Sequence, residues 1–202
     1  MENPWNSRER QELLLSPRRE RWFPRSAILQ GLALGEGMAV ADVGAGGGYL
    51  VEELALAVGQ AGQVWAVDPS PQARALLTER FQDGRHPQVA VCDGTAAATS
   101  LAAATADRMV WMAIYHELLH DAPKGGGIDA SFAEARRVLK PGGLLAIGDW
   151  RPVETEIGPP VAARVPRSDA GEQGRAAGFT LLSATDVSDA VWLLVLKAPA
   201  GD

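Results

Sequence analysis

An apolar run that ends in a cluster of glycines and opens directly into a helix constrains this chain more than any other feature. "MAVADVG" (38–44) continues through "DVGAGGG" (42–48) into "YLVEELALAV" (49–58), whose apolar residues recur at helical spacing. The same rhythm returns in "QVWAVD" (63–68) followed by "SPQARALLTERF" (70–81), where Ser70 suits a cap and Pro71 a first helical turn. "QVAVCD" (88–93), "DRMVWMAI" (107–114) and "GLLAIGDW" (143–150) read as further strands, the last after a Pro141-Gly142-Gly143 break and the helix "DASFAEARRVL" (129–139). A helical stretch, "SDAGEQGRAAGF" (168–179), leads into "TLLSATDV" and "AVWLLVLKA", spaced for an antiparallel hairpin around Ser188 and Asp189. Near-continuous apolar strands alternating with amphipathic helices predict a parallel sheet covered on both faces. The Ala/Thr-rich "TAAATSLAAATA" (95–106) is expected to be a surface helix, from alanine's propensity.

A chain of 202 residues, 47% hydrophobic and 22% charged, suits one globular domain. A net charge of -6 provides no general attraction to phosphate backbones or anionic lipid, so neither nucleic acid nor membrane is expected as a partner. One basic stretch stands out, "SPRRERWFPR" (16–25). It reads as a helix end with Trp22 and Phe23 tucked onto the core; the alternative is an anion clamp built from Arg18, Arg19, Arg21 and Arg25. The single cysteine, Cys92, excludes an internal disulfide, and the charged start has neither a secretory signal nor a spanning segment, so a cytoplasmic location is expected.

Ligands of open parallel sheets sit at the carboxyl ends of the strands, which places the Asp-x-Gly-x-Gly-x-Gly loop in the site. Glycines admit close approach, and the helix that follows offers free N–H groups to an anion. A triphosphate loop would end in Gly-Lys-Ser/Thr, which is absent here. A dinucleotide loop would place its third glycine at Tyr49 and would have no special use for Asp42. Asp68 ends the second strand, suited to ribose hydroxyls, and Asp93 ends the third, suited to an adenine amino group. Three acidic strand ends match a ligand with a ribose, an adenine and a cationic tail but no diphosphate.

These residues resemble the class I S-adenosylmethionine-dependent methyltransferases, in particular their small-molecule branch of the ubiquinone/menaquinone-biosynthesis type. The resemblance spans roughly residues 25–197 and rests on "VADVGAGGGYL", "VWAVDPSP", "VCDGTA", "DRMVWMAIYHEL" and "RRVLKPGGLLAIGDW", in the family's order and spacing. It implies a Rossmann-like α/β fold of seven mostly parallel strands with helices on both faces, the last strand antiparallel. Residues 37–202 would form the cofactor-binding domain and residues 1–36 a helical flap over the acceptor side. It further implies that Asp42, Gly44, Ala45 and Gly46 hold the methionyl end, Asp68 the ribose with Pro69 packed beside it, and Asp93 with Gly94 the adenine edge. Where relatives often carry asparagine after the fourth strand, this chain has Ala113.

"YHELLH" (115–120) spells a zinc motif, but a zinc site needs a third protein ligand, and the remaining histidine, His86, lies in a turn elsewhere. No metal is expected. Within the resemblance the segment falls over the cofactor, so Tyr115 and His116 are expected to line the pocket and His120 to sit at a rim. His116 is the candidate to take a proton from an acceptor, with Tyr115 orienting the acceptor and Asp149 or Glu117 orienting the imidazole. Trp111 and Trp150 are expected to fill the core, with a flat or apolar acceptor implied if either faces the pocket. The family's Asn-Pro-Pro-Tyr signature for base methylation reads "MAIYH" here, which favours a small-molecule acceptor. Two alternatives stand beside methyl transfer: a cofactor-binding module without catalysis, and a nicotinamide oxidoreductase.

Overall fold

A computed structural model of the protein describes residues 7–81, 84–120 and 127–200. The chain begins with α1 (Arg8–Leu13), a 3-10 turn at Pro17–Arg21 and α2 (Arg25–Leu32). It continues as β1 (Ala39–Val43), α3 (Val51–Val58), β2 (Gln63–Asp68), α4 (Pro71–Phe81), β3 (Val89–Asp93), β4 (Ala106–Met112) and α5 (Tyr115–His120). Then come α6 (Gly127–Val138), β5 (Leu139–Trp150), a 3-10 turn at Val161–Ala163, α7 (Arg167–Ala176), β6 (Thr180–Asp186) and β7 (Val191–Lys197).

The strands form one seven-stranded sheet in the order β3-β2-β1-β4-β5-β7-β6. All pairings are parallel except those of β7, which runs antiparallel between β5 and β6. Consecutive strands step outward from β1 to β3 and then restart beyond β1 at β4, so a crevice opens at the carboxyl ends of β1 and β4.

Strand alternation sorts β1 between two apolar layers. Val40 belongs to the layer containing Phe23, Ile28, Leu32, Leu54 and Leu193, whereas Ala41 and Val43 belong to the opposite layer with Met109, Trp111, Tyr115, Phe132 and Trp192. Each such large side chain, fully buried, contributes about 1.5–3 kcal/mol. Asp42 alternates with Ala41 and Val43 and so faces the layer roofed by α2 and α3. Gly31 lets α2 lie directly on β7, since a Cβ there would stand 2.8 Å from Leu193 Cδ2.

Two expectations need correction. The segment 95–106 is not a helix: residues 95–105 form turns with an isolated bridge between Thr95 and Ala98, and Ala106 opens β4. Thr99 is fully buried, and both its N–H (2.8 Å) and its hydroxyl (2.6 Å) are held by Glu134 Oε1, a tertiary demand that overrides alanine's propensity. The break at Pro141-Gly142-Gly143 is instead a register jump inside β5: Ala106 pairs with Leu139 but Arg108 with Leu144. The sequence "DAPKGGG" (121–127) is expected to break a helix directly after His120; all but its last residue lies outside the described residues. Among the described residues no helix is long and apolar enough to cross a membrane.

Candidate functional site

The glycine loop leaves β1 at the crevice. Gly44 (φ 75°) and Gly46 (φ 54°) are left-handed, and a Cβ on Gly44 would meet Ile114 Cγ2 at 2.6 Å. Asp68 fastens the loop across the β1–β2 pair: Oδ2 accepts from Gly46 N–H and Oδ1 from Ser70 N–H, both at 2.8 Å. Further lone pairs on the same carboxylate remain for a ligand's hydroxyls. Asp93 is exposed and paired with Arg74 at 2.8 Å, while Gly94 passes so close to Thr99 that a Cβ would lie 2.8 Å from its carbonyl oxygen. Pro69 is exposed beside Asp68, and Ala45 is buried in the loop.

Asp42 is different. It is 3% exposed, and among the described residues nothing donates a hydrogen bond to its carboxylate. Burial, reinforced by the charge of Asp68 and partly offset by Arg19, pushes its pKa up to about 7. A buried carboxylate without donors is costly unless a cation reaches it, and this is the feature that fits a cofactor carrying a positive charge. Together with a buried Asp68 beside a left-handed backbone cradle, the residues present fit an adenosyl group with a cationic amino-acid tail.

Gln11 and Leu14 sit over Gly46, and Leu15 over Gly47, so the start of the N-terminal segment covers the glycine loop. Arg8 pins α1 to Glu79 of α4 at 2.8 Å. Phe23 reaches the β5 end, meeting Trp150 edge-on at 5.0 Å between centroids. Both aromatics of the basic stretch pack on the core, Phe23 fully and Trp22 in part.

At the carboxyl ends of β4 and β5 a second constellation forms. Asp149 is fully buried and accepts from the His116 backbone N–H (2.9 Å), from His116 Nδ1 (2.9 Å) and from Trp150 N–H (2.7 Å). A carboxylate only accepts, so the proton sits on Nδ1, and Nε2 is left as the basic nitrogen. Burial lowers the His116 pKa, but the hydrogen bond and charge of Asp149 raise it more, leaving it above the ordinary imidazole value. Glu117 Oε1 lies 3.9 Å from Nε2.

Tyr115 departs from expectation. It is fully buried between Phe132 and Trp192, and its hydroxyl bonds Gln173, so it does not line a pocket. Trp111 fills the same layer, against Phe132. Trp150 is 6% exposed; a Cβ on Gly158 would stand 3.0 Å from its ring, and the Arg164 guanidinium lies 5.2 Å from its centroid. Arg164 also donates to the carbonyls of Arg151, Val153 and Pro159, tying the segment after β5 into a fixed cover. His120 Nε2 lies 3.3 Å from the Ala163 carbonyl oxygen, so the two histidines of "YHELLH" are held by separate partners. Nothing in the sequence distinguished Arg164 or Gln173; Arg19 was visible only as one of four arginines.

Ala113 has φ 60°, a left-handed conformation that asparagine tolerates better than alanine, and its N–H donates to Gly148 O at 2.7 Å. The position therefore demands a backbone geometry independent of any side-chain contact.

Comparison with known proteins agrees with this geometry. Residues 40–143 match the family model described as a methyltransferase domain. A SAM-dependent methyltransferase from Aquifex aeolicus is 26% identical, with 95% of this chain and 98% of that one covered at a TM-score of 0.85. Phosphoethanolamine N-methyltransferase 2 of Haemonchus contortus, solved with S-adenosyl-L-methionine, is 16% identical, with 88% and 53% covered at 0.70. The 4+2 cyclase SpnF is 20% identical, with 89% and 81% covered at 0.73. The last two likenesses speak for the fold alone. No curated protein sequence matches the chain.

Proposed function

Because the chain belongs to the methyltransferase-domain family, whose cofactor is S-adenosylmethionine, we propose that it methylates a small-molecule acceptor held beside His116 at the carboxyl ends of β4 and β5. The observation that carries this reading is the Asp149–His116 pair, a base with its tautomer fixed, formed where β5 ends and α5 begins, beside β4, the neighbour of the strand that leads into the glycine loop. S-adenosylmethionine, when bound, supplies a methyl group on a sulfonium sulfur, open to in-line displacement. Asp42 holds the cationic end, Asp68 takes ribose hydroxyls while fastening Gly46, and Asp93 with Gly94 meets the adenine edge. Asp149 keeps the proton of His116 on Nδ1, so that Nε2 accepts the acceptor's proton as its lone pair is committed to the new bond. Glu117 stands near enough to influence that nitrogen's charge. Residues 7–23 and the Arg164-tied segment exclude water.

Magnitudes rank these contributions. Alignment of two reactants lowers a barrier by roughly 7–11 kcal/mol, whereas a positioned general base contributes about 10²–10⁴-fold. Alignment dominates, and the base refines it.

One second reading is favoured by an observation: the same fold carries a cyclase, so a protein of this fold need not transfer methyl groups. The experiment therefore reads the transferred group itself. Protein is incubated with cell extract and isotopically labelled methyl donor, and products heavier by one labelled methylene, a methyl gained and a proton lost, are sought by mass spectrometry. Labelled product that disappears with His116→Ala supports the proposal. Cofactor uptake with no labelled product would favour the second reading.

A further inference from the structure

The segment that follows β5 is a loop anchored by a buried cation. Residues 151–160 form neither helix nor strand and are mostly exposed, with even Val153 and Ile157 turned to solvent. A loop without an apolar core of its own opens easily unless something else fastens it. Arg164 is that fastening, and it is 7% exposed. Its Nε donates to Pro159 O at 2.9 Å, Nη1 to Arg151 O at 3.2 Å and to Val153 O, and Nη2 to Thr155 Oγ1 at 2.6 Å. All three nitrogens are spent on oxygens of one segment, and none of those oxygens belongs to a carboxylate.

The same guanidinium stands beside the His116–Asp149 pair. It lies 5.2 Å from the centroid of Trp150, whose N–H donates to Asp149 Oδ1, and it bonds the carbonyl of Arg151, two residues past Asp149. The helix that carries His116 is tied to the same segment, since His120 Nε2 lies 3.3 Å from the carbonyl oxygen of Ala163. Four charged or titratable groups meet here: Asp149 from β5, His116 and Glu117 from α5, and Arg164, on which Glu154 also acts. Burial and Arg164 favour the neutral imidazole, while Asp149 and Glu117 favour the imidazolium. We infer that Arg164 is the positioning residue of the His116 end: it cross-braces residues 151–159 into a roof over Trp150 and stands as the cation opposed to Asp149. This deepens the reading of His116 as the base and rests on it. Asp149 fixes the proton on Nδ1 but also draws a second proton to the ring; Arg164 opposes that second effect and leaves more of the imidazole free to accept a proton. It acts through His116 and through the roof, not on a reacting atom.

Two readouts on the ligand-free protein test this. NMR titration gives the midpoint of His116, one of three histidines in the chain and assigned by the signal missing from His116→Ala. Limited digestion with a glutamate-specific protease gives the rate of cleavage at Glu154 and Glu156. Arg164→Gln, which removes the charge and most of the donors, is expected to raise the His116 midpoint and to speed cleavage roughly 10–100-fold. Arg164→Lys keeps the charge without the planar set of donors, so cleavage should again be faster while the midpoint rises less. If Arg164→Gln fails to fold, Arg164→Met, which fills the space over Trp150, is read in its place. An unchanged midpoint in the neutral variant, or an equal rise in both variants, would overturn the opposition to Asp149, because a loosened roof does not distinguish a cation from a neutral side chain. Cleavage at the wild-type rate in the neutral variant would overturn the roof. Neither readout uses cofactor or acceptor, so failure of the methyl-transfer reading shows separately, as no labelled product from the wild-type protein or as product that persists in His116→Ala.

Discussion

Asp42 and Asp149 are both aspartates buried near the carboxyl ends of strands, and the fold treats them in opposite ways. Asp149 receives two backbone N–H groups and an imidazole N–H, all within 2.9 Å. Asp42 receives none among the described residues. A satisfied buried carboxylate is a rigid part of the protein, here one that fixes the tautomer of His116. An unsatisfied one is stabilised only by a charge from elsewhere, and so selects a cation. The His116 end of the crevice is thus completed by the chain itself, while the Asp42 end is left to a charge from elsewhere.

The largest expected effect falls at the acceptor end. His116→Ala should reduce turnover by about 10²–10⁴-fold and leave cofactor affinity nearly intact. With neutral His116 as the proposed base, the rate should rise with pH through a midpoint above the ordinary imidazole value. Asp149→Asn should move that midpoint downward, because it removes the charge that raises it. Steady-state pH profiles of both variants beside a direct cofactor titration check this. A wild-type rate in His116→Ala would exclude proton abstraction by this residue.

The second prediction concerns stability at the cofactor end. Below pH about 4 Asp42 is protonated whether the chain is folded or unfolded; between about 4 and 7 only the unfolded chain ionises, so stability falls as pH rises. Above about pH 7 the cost is complete, of order 4 kcal/mol at most. Asp42→Asn should therefore stabilise the ligand-free protein at pH 8 and have little effect at pH 3.5, measured by urea unfolding, and should also weaken cofactor binding. Stability that is unchanged at pH 8 would remove the contrast between the two aspartates.

Legibility follows the same division. The strands, their order of appearance and the glycine loop were readable because they depend on local patterns: apolar runs, Asp at strand ends, glycine where φ turns positive. What escaped depends on contacts between distant segments. Thr99 is held by Glu134, Tyr115 by Gln173, and Arg19 by aromatic rings contributed by Phe23 and Tyr49. A tyrosine beside a catalytic candidate carries no local mark of which face it will take, and an arginine among arginines no mark of which one turns inward. Either Asp149 or Glu117 was expected to orient the imidazole of His116; Asp149 makes the hydrogen bond, at 2.9 Å, while Glu117 stands 3.9 Å from the other ring nitrogen.

Smaller effects sharpen the comparison further. Asp68→Ala should weaken S-adenosylmethionine by roughly 1–3 kcal/mol, since it unpairs ribose hydroxyls and frees Gly46 from its anchor. Unchanged affinity on calorimetry would leave Asp68 a purely structural clamp. Ala113→Gly should raise stability by about 1 kcal/mol by relieving the left-handed strain at φ 60°, read as a higher midpoint in thermal unfolding. A lower midpoint would mean that the lost methyl packing outweighs the strain.

The central claim is that Asp42 is a carboxylate completed by the cofactor's cation, and its most direct test is titration of S-adenosylhomocysteine at pH 6 and pH 8. Affinity in the micromolar range, about -8 kcal/mol, is expected at pH 8. Because Asp42 ionises near pH 7, affinity should fall by up to about tenfold at pH 6, with proton release on binding there, and Asp42→Asn should bind weakly and equally at both values. Wild-type binding that is equally tight at pH 6 and pH 8, or absent at both, would contradict the account.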